Sequence, residues 1–169
     1  MTNAFSTLIT RLLYETKQEI DKGNFTEDEV TKTKEIISEI IRKGTDLFPT
    51  EISQEAKKEF DKLLAKTKST NKKIKITKWQ DLNWNNNQTK IDPGRKKLHL
   101  EHMYPVAQLR DEICSNAKSE NDVRDIFLKA RVIWITKEEN KKLDKIAKSY
   151  RPDPEAIYAQ VGIKILNIP

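Results

Sequence analysis

The chain has 169 residues, of which 34% are charged and 36% hydrophobic, and its net charge is +6. That length suits one domain with a real core, or a domain with a helical appendage, and no apolar run approaches the roughly 18 residues of a membrane span. A single cysteine, Cys114, excludes an intrachain disulfide and a cysteine-rich zinc site. The N-terminal stretch lacks a basic start, apolar block and cleavage site, so the expected compartment is the cytoplasm.

The charge is unevenly spread. Residues 1–61 hold 9 Lys/Arg against 13 Asp/Glu, residues 62–97 hold 11 against 2, and residues 98–169 hold 12 against 11. An excess of +9 in the middle stretch suits a polyanion partner steered to one face. A solvated lysine-rich surface has the same composition.

Phe5, Leu8, Ile9, Leu12, Leu13 and Ile20 predict an amphipathic helix over 4–21, broken at Gly23-Asn24. Thr26 with Glu29 three residues on is a capping box opening a second helix, whose stripe is Val30, Ile36, Ile37, Ile40 and Ile41. Gly44 stands where a C-terminal cap belongs. Ile52, Ala56, Phe60, Leu63 and Leu64 predict a third helix over 51–67. From Lys72 to Trp79, lysines alternate with Ile74 and Ile76, the period-2 pattern of a strand with a basic outer face. An asparagine-rich loop with an Asp92-Pro93-Gly94 turn follows, then a strand over 97–102.

Pro105 suits the first turn of a helix through Val106, Leu109 and Ile113. Val123, Ile126, Phe127 and Ala130 predict another over 120–130, and the β-branched, aromatic run 131–136 a buried strand. Thr136, with Glu139, caps a helix through Leu143, Ile146 and Ala147. The tail is expected to hold a helical turn and a closing strand.

Both histidines fall in "LHLEHMYP", with His99 and His102 bracketing Glu101. On a regular strand His99 shares a face with Glu101 while His102 points the other way, so a kink at the strand end is needed to turn Glu101 and His102 to one ion. A carboxylate with an amide oxygen, such as that of Asn140, is a first shell suited to Mg²⁺, which keeps several waters. A histidine beside the metal is suited to act as general base.

Glu101-His102-Met103-Tyr104-Pro105, with Trp134 to Leu143 carrying Glu139-Asn140, resembles the two halves of the HNH, or ββα-metal, nuclease motif. The resemblance covers about residues 96–150. It implies an α+β fold with a ββα-metal core and inserted helices; the three helices before it suggest a small N-terminal helical unit, giving domains at 1–68 and 69–169. It further implies single-metal hydrolysis of DNA phosphodiesters with Mg²⁺ or Mn²⁺, in a restriction or defence setting. Glu101 and Asn140 would be metal ligands and His102 the general base; the motif's central Asn is unassigned, Asn116 and Asn121 being candidates between helices. Lys72, Lys73, Lys75, Lys78, Arg95, Lys96 and Lys97 are candidate DNA contacts.

Each residue also has a plainer reading. His102 suits a strand-end histidine bonded to a carbonyl, Glu101 a partner for nearby lysines, Asn140 a solvated first-turn residue, and Glu139 its own helix cap. His99 is expected to be a bystander, or a group supporting the metal or a phosphate. Trp79 and Trp84 suit base stacking or the core, and Asn85, Asn86, Asn87 and Gln88 suit base reading or a polar loop. Trp134 is expected in the core, and Cys114 as a small apolar residue of its helix. The partners are DNA, with RNA left open, and a second copy of the chain through the N-terminal helices. The competing classes are a non-catalytic basic nucleic-acid-binding protein and a helical interaction protein.

Overall fold

The computed structural model describes residues 3–46, 48, 50–82 and 87–166; Trp84, Asn85, Asn86 and the side chain of Phe5 lie outside the described residues. The chain is α+β. Its elements are α1 (Asn3–Asp21), α2 (Glu27–Thr45), β1 (Thr50–Ile52), α3 (Gln54–Thr70), α4 (Gln88–Ile91), β2 (Leu98–His102), α5 (Val106–Asn116), α6 (Glu120–Phe127), β3 (Val132–Thr136), α7 (Lys137–Ile146) and α8 (Pro154–Gln160).

Contacts divide it into two compact units. One comprises residues 1–49, 102–131 and 149–152, the other residues 50–101, 132–148 and 153–169. Helix α3, grouped by the sequence with the first two helices, belongs to the second unit.

The first unit is helical, with α1 packed on α2 and α6, and α2 on α5. Leu13, Ile37, Ile41, Leu109, Ile113, Val123 and Phe127 are fully buried at its centre. Each such side chain removed from water stabilises the fold by about 1.5–3 kcal/mol. The capping box of Thr26 and Glu29 forms as the sequence predicts. Gly44, expected as a C-terminal cap, instead lies inside α2. A Cβ placed there would sit 2.7 Å from Phe127 Cζ, so glycine permits the close approach of a ring.

The second unit is built on a mixed sheet of order β1-β3-β2, in which β1 runs parallel to β3, Ile52 opposite Trp134. The tail pairs with the end of β1 through a Ser53–Ile165 bridge. Ile52, Phe60, Leu98 and Trp134 pack together under α3, and Trp79 is buried among them. Two expectations fail here. Ile52 is in a strand, because Ser53 accepts from the Ala56 amide and caps α3 one residue later. Residues 72–79 form no strand. The Thr77 and Lys78 amides donate to the Asp81 carboxylate at 2.8 and 3.1 Å, and the Lys73 amide to Asn71 Oδ1 at 3.1 Å. Local side chains thus take the donors a sheet ladder would need.

Candidate functional site

Strand β2 is set by a turn. Asp92 is buried, and its carboxylate accepts from the Lys96, Lys97 and Leu98 amides at 2.9–3.2 Å. The turn needs Gly94 at φ 74° and forces Arg95 to φ 53°. Lys96 and Lys97 are therefore held on a fixed backbone at the head of β2.

His99 and Glu101 share a strand face, as alternation requires. His99 Nε2 lies 3.1 Å from Glu101 Oε2, and Lys137 Nζ lies 3.1 Å from His99 Nδ1. An ammonium only donates, so Nδ1 accepts and Nε2–H donates to the carboxylate. His99 thus bridges the start of α7 to Glu101. These side chains are mostly shielded, with 21% of His99 and 15% of Glu101 exposed.

His102 has other neighbours. Its Nε2 lies 2.9 Å from Thr45 Oγ1, whose hydroxyl already donates to the Arg42 carbonyl. Thr45 therefore accepts and Nε2 carries the hydrogen. The His102 carbonyl accepts from the buried Arg151 guanidinium at 3.0 Å. Glu101 is tied to His99, and His102 to Thr45.

On α7, Asn140 Nδ2 donates to Asp144 Oδ2 at 3.2 Å. Asn140 lies three residues after Lys137 and so shares the helix face that carries the His99 partner. Glu139 is buried as the cap of its helix: it accepts from the Thr136 amide at 2.7 Å and the Ser53 hydroxyl at 2.8 Å. Glu101 and Asn140 each carry an oxygen of the kind Mg²⁺ takes as a ligand. Among the described residues no three His, Cys, Asp or Glu side chains cluster as a metal site.

The lysines fall in two places on the second unit. Lys73 and Lys75, with Lys90, line a cavity of about 570 Å³, and Lys96 and Lys97 line another of about 310 Å³. Lys72 and Lys78 are exposed, and Arg95 is half-buried. Gln88 is buried with its amide on the Leu98 carbonyl at 2.8 Å, which commits it to the core. Trp79 and Trp134 are core residues. Asn116 ends α5 and Asn121 lies in the first turn of α6, within helices rather than between them.

Sequence reasoning passed over Lys137, whose partner His99 lies 38 positions away. It also passed over Arg151. Compared with models of protein families, with curated proteins and with solved structures, the chain finds no match.

Proposed function

We propose that the chain is a divalent-metal-dependent endonuclease acting on DNA, the reading that its resemblance to the HNH nucleases implies. The observation that supports it is a link between β2 and α7 through His99. Lys137, on the helix face that Asn140 shares, bonds the same His99 that bonds Glu101. The strand–strand–helix order of β2, β3 and α7 supports it. In this reading Glu101 and Asn140 hold Mg²⁺ or Mn²⁺, His99 fixes the Glu101 carboxylate, and His102 is the general base. A bound divalent ion supplies charge neutralisation at the leaving oxygen of the phosphodiester.

A plasmid-nicking assay with Mg²⁺ or Mn²⁺ tests the reading. His102→Ala is expected to lose about 10²–10⁴-fold in rate, as for removal of a general base. Unchanged nicking by that variant, or by Glu101→Gln with Asn140→Ala, sinks the assignment. Restriction or defence is the setting in which such an activity fits.

A second reading is a nucleic-acid-binding protein without catalysis. Two oxygen donors in place of a fuller metal cluster, beside two lysine-lined cavities, favour it. It expects salt-sensitive binding that persists in EDTA and no cleavage with any metal. The exposed apolar side chains of Leu8, Leu12 and Ile36 on α1 and α2 support pairing of two copies through that face. A shift in the sizing profile of Leu12→Glu with Ile36→Glu tests that part.

A further inference from the structure

Six lysines and four glutamates line the cavity of about 310 Å³ formed by α3, the head of β2 and α7. The glutamates are engaged. Glu55 pairs with Lys58 at 2.7 Å, Glu59 with Lys62 at 4.0 Å and Glu138 with Lys141 at 2.8 Å, while Glu139 caps α7. Lys137 is turned to His99. That leaves Lys96, Lys97 and Lys142, which make no ion pair among the described residues, and all three are exposed. The bond from Lys141 holds the Glu138 carboxyl below the usual carboxylate range, and the charges of Lys97 and Lys142 act in the same direction. Ammonium groups from two segments more than 40 residues apart therefore share one field.

Three like charges around one cavity, offset only in part by Glu138 and Glu55, repel one another in the free protein. The arrangement is relieved by an anion whose oxygens can meet several ammonium groups at once, and lysine binds phosphate as a compact point charge. We propose that this cavity seats a backbone phosphate of duplex DNA, with Lys96, Lys97 and Lys142 as its contacts. The proposal rests on the reading that the chain binds DNA, and is independent of cleavage. It adds Lys142 to the binding residues and draws Lys96 and Lys97 away from Lys73 and Lys75, which line the other cavity.

The test is binding of the full chain to a fluorescent duplex in EDTA, by anisotropy between 50 and 200 mM salt. Each lost phosphate contact lowers the slope of log affinity against log salt by about 0.9. Lys96→Gln/Lys97→Gln/Lys142→Gln is expected to lower it by about 2.7, with a folded far-UV spectrum. A control triple, Lys32→Gln/Lys43→Gln/Lys118→Gln, changes three exposed lysines of the other unit and is expected to leave the slope unchanged. An unchanged slope in the first triple, or an equal drop in the control, overturns the proposal even if the chain nicks DNA. A drop confined to the first triple upholds it even if no metal supports cleavage. Failure of the wild-type chain to bind duplex at 50 mM salt overturns it together with the nuclease reading.

Discussion

The guanidinium of Arg151 donates to the His102 carbonyl at 3.0 Å and the Met103 carbonyl at 3.3 Å, from a side chain only 1% exposed. Gln108 closes the arrangement by bonding the Arg151 backbone on both sides, accepting from its amide at 2.7 Å and donating to its carbonyl at 3.0 Å. The end of β2 is thereby fixed by a residue 49 positions downstream. Arg151→Met removes the donors and leaves buried carbonyls unmet, a loss of about 1–3 kcal/mol per group. The urea midpoint should fall by a corresponding amount, and an unchanged midpoint refutes the role. Arg151→Lys keeps the charge but loses the planar fork, and should recover only part of the stability.

Gly44→Ala pits helix propensity against packing. Alanine favours an exposed helix interior by about 1 kcal/mol over glycine. Here the added carbon would meet Phe127 Cζ at 2.7 Å and Ile9 Cδ1 at 3.0 Å. Phe127 is fully buried and edge-packed on Phe48 at 5.3 Å, so the ring has little room to yield. Overpacking of this kind costs about 1–3 kcal/mol, and the variant should melt earlier than wild type. Adding Phe127→Leu should be less costly in the Gly44→Ala background than alone, read by a double-mutant thermal series.

Two capping carboxylates predict acid sensitivity. Backbone bonding by Thr26 holds Glu29 below the usual carboxylate range, and backbone bonding by Lys118 does the same for Asp122. A carboxyl lowered in the folded state stabilises it above the unfolded pKa of about 4, and that contribution disappears as pH falls through the folded value. Glu29→Gln with Asp122→Asn should lose stability at pH 6 and show a flatter decline of the thermal midpoint towards pH 3. Parallel curves for variant and wild type would contradict this.

Burial pushes the Cys114 thiol up, so little thiolate is present near neutral pH. Labelling by a disulfide reagent at pH 7.5 should be slow in the native chain and rapid in urea. Equal rates in the two states would show an open thiol.

Much of the fold is legible because it rests on local rules. The 3.6-residue stripes of α1, α2, α5 and α6 need no partner to be recognised, and the boxes at Thr26–Glu29 and Thr136–Glu139 close over three residues. What misleads is alternation without a ladder. Ile74 and Ile76 turn inward as a strand would place them, yet Asp81 and Asn71 take the backbone donors of the lysine-rich segment. The three-residue strand β1 is too short to show a period.

The candidate site divides along the same line. That His99 faces Glu101 follows from their spacing on β2, and the 3.1 Å bond follows from that alternation. That Lys137 holds His99, that Thr45 bonds His102 and that Lys142 lines one cavity with Lys96 and Lys97 all arise from tertiary structure. No spacing rule reports them.

Neither unit is a continuous piece of chain, since the first draws on residues 1–49, 102–131 and 149–152. During synthesis α1 and α2 emerge well before α5 and α6, against which their apolar faces close. At roughly 5–20 residues per second, the interval between residues 49 and 131 is on the order of 4–16 s. For that time Leu13, Ile37 and Ile41 stay uncovered beside a ribosome, and the nascent chain is open to chaperones or to misassembly with its neighbours.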